Sequence, residues 1–307
     1  MSNDNSRDEW RDLYAPRKDD EGDPQRRRPS PTLERMKQQR EQEERLAQRM
    51  ALIKHKILVL SGKGGVGKTT VAANLGRALA ARHFSVGLLD ADIHGPNLPL
   101  LLGVEGQHAE ASEMGIRPVV AGTNLIVMSV SLLTDDPSQP VVWRGPLKAA
   151  LLRQFLSDVD WGPLDFLIVD NPPGTGDEPL TAAQSIPDPD GVLIVSLPQA
   201  VSLLDCRKAI NFAHALGLPV LGLVENMSGF VCPHCGRSVD LFGSGGAERM
   251  ARQLGVPFLA RIPMAVGVQA MTDRGQSLVG EDAPAEVHQA FDTLVDNFLQ
   301  QIGTSGG

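Results

Sequence analysis

The chain has 307 residues, 42% hydrophobic, 21% charged and only 4% aromatic, with a formal net charge of −8. A chain of this length gives one large domain or two small ones, with an aliphatic core that needs no covalent staples. The acidic balance argues against a general nucleic-acid binder, and three cysteines are too few for a disulfide framework; with no signal peptide and no apolar run of about 18 residues, the expected setting is the cytoplasm, with reduced thiols and no membrane or nucleic-acid partner.

Residues 1–50 hold 12 Lys/Arg and 12 Asp/Glu, so the whole −8 lies in residues 51–307. Residues 1–31 are poor in large aliphatics and are expected to be a disordered charged arm. Residues 32–54 combine strong helix formers with sparse apolar positions (Leu33, Met36, Leu46, Met50), which predicts a helical arm, either solvated or docked on a partner. Strand and helix patterns then alternate through a single domain, 55–303, ahead of a short disordered tail, 304–307. The strand candidates are KILVLS (56–61), SVGLLD (85–90), LIVMSV (125–130), DFLIVD (165–170), GVLIVSL (191–197), VLGLVEN (220–226) and VPFLARI (256–262). Near-continuous aliphatic runs fit a mostly parallel sheet covered on both faces. Helices are predicted over 67–82, 202–216 and 245–254. A last one, 283–302, carries an apolar stripe of Val287, Phe291, Leu294, Val295, Phe298 and Leu299, with no Lys or Arg after Arg274. That stripe reads as core packing and not as a membrane anchor. The fold class is α/β, doubly wound, with ligands expected beyond the carboxyl ends of the strands.

The first strand runs into SGKGGVGKTT (61–70), with Gly62, four residues, then Gly67-Lys68-Thr69. A glycine-rich turn lets backbone N–H groups of Gly62, Lys63, Gly64, Gly65, Val66, Gly67, Lys68, Thr69 and Thr70 face an anion, and the helix behind it adds partial positive charge. Lys68 then reaches the β- and γ-phosphates of a nucleotide, and the Thr69 hydroxyl holds magnesium. This is P-loop NTPase topology. Lys63 is a second lysine that a plain phosphate cradle does not require.

LLDADIHGP (88–96) places Asp90 and Asp92 two apart, on opposite sides of an extended chain. One can face magnesium while the other reaches an attacking water; the competing reading is that both cap the next segment. His94 reads as a surface residue. DFLIVD ends in Asp170, suited to a magnesium shell, and leads into NPPGTGD (171–177), a loop built to respond to a γ-phosphate. Asn226 stands at a strand end, either meeting an adenine edge or forming a turn.

FVCPHCGRS (230–238) puts Cys232 and Cys235 at metal-ligand spacing. A redox pair and half of a zinc ribbon are alternatives. A tetrahedral zinc or an iron–sulfur cluster takes four ligands, and the chain has no second pair; a symmetric dimer would supply it. Cys206 lies in a helical stretch and reads as a buried structural thiol, and His234 as a spacer.

Taken in order, SGKGGVGKTT, LLDADIHGPNLP, VWRGPLKAALLRQFLSDVDW, FLIVDNPPGTGDEPL, VENMSGFVCPHCG and FGSGGAERMARQLGVPFLARIP resemble the Mrp/ApbC family, iron–sulfur cluster carrier ATPases of the MinD/ParA/nitrogenase-iron-protein class, over roughly residues 55–280. The resemblance implies an ATP hydrolase that uses ATP and Mg2+, holds a 4Fe–4S cluster between the subunits of a homodimer, and passes it to apo iron–sulfur client proteins alongside the cluster assembly machinery. It implies that Lys63 reaches the partner subunit's nucleotide, Asp92 orients the attacking water, Asp90 and Asp170 serve the magnesium site, Asn226 reads adenine, and Cys232 and Cys235 hold the cluster. The chain departs from the family in two places: a charged arm stands where many bacterial members carry a small extra domain, and no cysteine precedes Cys206, unlike eukaryotic scaffold members with an N-terminal cysteine cluster. A positioning or partition ATPase without a cluster, and an ATPase dimer held by structural zinc, are the other readings of these motifs.

Overall fold

A computed structural model describes residues 31–134 and 145–303. The expected disordered arm up to residue 30, the tail 304–307 and the Val142–Arg144 part of the family-like VWRGP segment lie outside the described residues. The chain divides into two compact units at Gln42/Glu43, and helix α1 (Pro31–Ala51) runs through that boundary. In the first unit its described side chains are polar apart from an exposed Met36, with an exposed Lys37–Glu41 pair at 3.8 Å of the kind worth a few tenths of a kcal/mol. In the second unit the helix is not a solvated arm. Met50 is buried and Leu46 half-buried against the core, Arg45 meets Asp158 at 3.3 Å, and Arg49 meets Asp160 and the Met114 carbonyl. Leu46 and Met50, flanked by two arginines, supply enough apolar and charged contact to dock its last turns.

Strand β1 (Ile53–Leu60) begins three residues before the expected Lys56, because Ile53 is also buried. There follow α2 (Lys68–Ala81), β2 (Val86–Asp90), α3 (Leu98–Leu101), a small hairpin of β3 (Glu110–Ser112) and β4 (Gly115–Arg117), β5 (Val119–Gly122) and β6 (Leu125–Met128). Then come α4 (Gly145–Asp158), β7 (Leu164–Asp170), α5 (Asp177–Ser185), β8 (Gly191–Ser196), α6 (Ala200–Ala215) and β9 (Val220–Glu225). A second small hairpin of β10 (Phe230–Val231) and β11 (Ser238–Val239) precedes α7 (Gly246–Leu254), β12 (Phe258–Arg261), α8 (Val268–Asp273) and α9 (Ala285–Ile302).

The main sheet has strand order β12-β9-β8-β1-β7-β2-β6-β5, parallel except for the edge strand β5, which runs antiparallel to β6. Side chains alternate between its faces. Ile57, Val59, Phe166, Ile168, Leu193 and Val195 enter one buried cluster with α2 and α9, whereas Leu58, Leu60, Leu167, Val169, Val192 and Ile194 enter the other with α4, α6 and α7. The stripe of α9 lies wholly inside the first cluster. Phe166 anchors that cluster, its ring centroid 5.3 Å from Phe84 and 5.9 Å from Phe298. Because β1 sits between β7 and β8, the chain must leave in opposite directions around it. The crevice at that switch point is where the loops after β1, β2, β7 and β9 converge.

Candidate nucleotide and thiol site

The loop after β1 is held from several sides. Ser61 Oγ donates to the Lys63 carbonyl at 2.9 Å, and the Gly174 N–H donates to the Ser61 carbonyl at 2.9 Å, which ties the loop after β7 to it. Gly67, at φ 80°, hands the chain into α2, and a Cβ there would strike the Asn226 side chain. Gly62 packs against the backbone of Asp205 in α6 just as closely. Val66 is buried, Gly64 and Gly65 are exposed, and the Thr70 carbonyl accepts from Asn74 Nδ2 at 2.9 Å. Lys63 is half-buried, and its ammonium has no ion pair or hydrogen bond among the described residues.

Lys68 is 6% exposed and its Nζ lies 2.6 Å from Asp170 Oδ1; Thr69 Oγ1 donates to Asp170 Oδ2 at 2.7 Å. Strand register sets Asp90 directly beside Asp170. Asp90 accepts from the Leu98 N–H and the Asp92 N–H, both at 3.2 Å, and from Ser129 Oγ at 3.4 Å. Burial, then the neighbouring Asp170 charge, pushes the Asp90 carboxyl well above the ordinary carboxylate range. Burial raises Asp170 too, against the opposing pull of Lys68. Asp92 caps its own turn by accepting from the Gly95 N–H at 3.2 Å, yet it stands close enough to add to the field on both other acids. Three carboxylates thus share one crevice with one buried lysine. Asn171, next to Asp170, is fully buried, and neither atom of its amide has a partner among the described residues.

His94 is exposed, as expected of a surface residue, and it meets Lys148 of α4, which also pairs with Glu178 of α5; His94 Nε2 lies 3.4 Å from Glu178 Oε1. Lys148 holds the Glu178 carboxyl below its usual range. This contact stitches the loop after β2 to the segment that follows the loop after β7. Nothing in the sequence flagged it, because its three members lie far apart in the chain.

Asn226 follows β9. Its Nδ2 donates to the Val66 carbonyl at 2.9 Å, so the amide touches the phosphate loop itself. Just beyond, β10 and β11 project a short hairpin with both thiols in its turn. The Cys232 N–H donates to the Arg237 carbonyl at 3.0 Å, and the Gly236 N–H donates to the Cys232 carbonyl at 2.9 Å, with Gly236 at φ 66°. Hydrogen bonding from the backbone of Cys235 and His234, and then from the Cys235 thiol, holds Cys232 below the usual thiol range. Such hydrogen bonding favours a thiolate, the form that binds metal. His234 is exposed. Cys206 is remote from this pair and buried, with its thiol pushed up to about 12 by desolvation. Among the described residues no group of three or more His, Cys, Asp or Glu is gathered for a metal. Exposed apolar side chains flank the site: Val201 and Leu204 on the first turns of α6, then Val239, Leu241 and Phe242 on the hairpin and its return.

A family model for NUBPL iron-transfer P-loop NTPases, within the ParA group, matches residues 52–299. An iron–sulfur cluster carrier protein of Methanocaldococcus jannaschii is 49% identical over 262 residues, covering 85% of this chain and 90% of that protein. One of the same description from Methanococcus maripaludis is 46% identical over 273 residues, covering 89% and 93%. Among solved structures, a nucleotide-binding protein from Archaeoglobus fulgidus in complex with ADP is 40% identical with a TM-score of 0.68, over 76% of this chain and 91% of that one. By phosphate loop, sheet order and matched length, the chain belongs to the NUBPL iron-transfer P-loop NTPases of the ParA group.

Proposed function

We propose that this protein is a cytoplasmic ATPase that binds an iron–sulfur cluster between two copies of itself and delivers it to apoproteins. The observation that carries the reading is the hairpin: Cys232 and Cys235 stand together in its short turn on the loop after β9, with no group of three or more metal-binding side chains among the described residues. Two chains together would supply four thiolates, the number a 4Fe–4S cluster takes. The exposed apolar side chains around the hairpin and α6 suit burial against a second copy. Client apoproteins and the assembly machinery that loads the cluster are the partners this requires.

For the nucleotide, the working domain is 55–303. The backbone of 62–70 cradles the phosphates, Lys68 leaves Asp170 for the β- and γ-phosphates, and the Asn226 amide has both a donor and an acceptor for the adenine edge. Thr69, Asp170 and Asp90 offer the hard oxygen donors that Mg2+ prefers, and burial, which raises both acids, is a cost to their charged forms that a bound cation would offset. Bound there, Mg2+ supplies charge neutralisation to the phosphates. Asp92 orients the water whose oxygen bonds to the γ-phosphorus as the β–γ bridging bond breaks, giving ADP and phosphate. Lys68, and Lys63 from the partner copy, balance the charge that builds on the way.

The test is reconstitution without oxygen, using iron and sulfide, followed by transfer to an apo acceptor with and without ATP. Wild type should hold iron and sulfide and activate the acceptor, and Cys232→Ala and Cys235→Ala should do neither. Full iron and sulfide on both variants, or zinc alone in the dimer, would overturn the reading.

A further inference from the structure

Glu225, the last residue of β9, is a fully buried carboxylate that no nucleotide or thiol chemistry requires. The hydrogen-bond donors to its side chain belong to the two feet of the thiol hairpin. Oε1 accepts from Ser228 Oγ on the outgoing side and from the Gly245 N–H at 2.7 Å on the returning side; Oε2 accepts from the Ala247 N–H at 2.6 Å. Arg261 Nε, 3.4 Å from Oε1, balances the charge. Backbone bonds secure the same feet: Ser228 N–H to the Ile262 carbonyl at 3.0 Å and Met264 N–H to the Gly229 carbonyl at 2.8 Å. The segment 229–244, with both thiols, is therefore held at both feet by one side chain together with these backbone bonds.

The next residue, Asn226, reaches the opposite way and bonds the Val66 carbonyl of the phosphate loop at 2.9 Å. Between them the backbone is pinned by Asn226 N–H to the Ser196 carbonyl at 2.8 Å and by Ile262 N–H to the Glu225 carbonyl at 2.8 Å. Met227, at φ 52°, then turns sharply toward the hairpin. One end of this dipeptide touches the nucleotide loop and the other clamps the thiol loop, through bonds with little slack.

We propose that Glu225 is the positioning residue that couples nucleotide occupancy to the set of the Cys232/Cys235 hairpin. A nucleotide that engages Asn226 draws on the end of β9, and Glu225 carries the displacement to Ser228, Gly245 and Ala247 together. The inference rests on the proposed pairing of nucleotide and cluster sites. Its test does not need a cluster.

In the full-length, cluster-free protein, iodoacetamide alkylation of Cys232 and Cys235 is timed by mass spectrometry with and without Mg2+ and a non-hydrolysable ATP analogue, and affinity for that analogue is measured on the same samples. Wild type should show a nucleotide-dependent change in rate of about fivefold or more, the lower end of ordinary site-to-site couplings. In Glu225→Gln one acceptor becomes an amide facing backbone N–H donors; analogue affinity should persist and the change in alkylation rate should vanish. A variant that merely loosened the hairpin would alkylate faster yet still respond to nucleotide. Ser228→Ala removes only one foot and should reduce the response, and it decides the matter if Glu225→Gln does not fold. A wild-type response in either folded variant, or wild type that binds the analogue with no change in thiol reactivity, overturns the coupling. Failure of wild type to bind the analogue would instead contradict the proposed ATPase.

Discussion

The phosphate loop and the thiol hairpin sit at the same end of one sheet but are built on opposite terms. The first is central, follows the middle strand, and apart from Lys63 its polar side chains and neighbouring acids already have partners within the chain: Lys68 on Asp170, Thr69 on Asp170, Asp90 on two backbone N–H groups. The second consists of two-residue strands on a stalk, with Cys235 exposed and only two ligands. A site complete in itself is woven into folding stability. A site left half-made is nearly free of it, and is available to be finished by another copy.

Four substitutions or conditions would break or sharpen that contrast. The largest effect belongs to Lys68→Ala. It strands the buried Asp170 carboxylate, and removing one partner of a buried pair costs about 3–5 kcal/mol; urea unfolding should show a loss in that range together with loss of nucleotide binding. Gly67→Ala comes next. A side chain at φ 80° that also strikes Asn226 should cost more than about 1 kcal/mol in the same assay and weaken ATP binding.

The third concerns pH. A carboxyl with a raised folded-state pKa binds more protons folded than unfolded, so its contribution falls as pH climbs from the ordinary value of 3.8 through the raised one. The melting temperature of the nucleotide-free protein should therefore carry a downward component over that interval, and Asp90→Asn should reduce it, leaving the smaller share of Asp170. Mg2+ with nucleotide should flatten the same slope. The smallest effect is expected at the hairpin: Cys232→Ala and Cys235→Ala should change unfolding free energy by no more than about 0.5 kcal/mol, as surface substitutions do, while abolishing iron binding. A large loss of stability there would mean that the hairpin is part of the core architecture after all.

Much of this was legible in the sequence because the signals are local. Continuous aliphatic runs marked seven of the sheet strands, four of them ending at a residue of the crevice: Ser61, Asp90, Asp170 and Asn226. The phosphate loop and Cys-Pro-His-Cys spacing named their own chemistry. What escaped is non-local. β5 is a short edge strand, and Val120 is exposed, so no alternation marked it. The docking of Leu46 and Met50 was hidden among charged neighbours. Asp170 was expected to face magnesium, and its direct hold on Lys68 depends on how β7 lies beside β1. Glu225 was the most readable of the missed residues. A charge at the end of VLGLVE must be paired if the strand is buried, but only the fold could say that its partners are the feet of the thiol hairpin.

The central claim is that the thiol site is completed by a second copy, and the most direct measurement is native mass spectrometry of the protein reconstituted with iron and sulfide. The account predicts one 4Fe–4S cluster per two chains, with both the cluster and its mass lost from Cys232→Ala and Cys235→Ala. A cluster carried by a single chain, or an undiminished one on either variant, would contradict it.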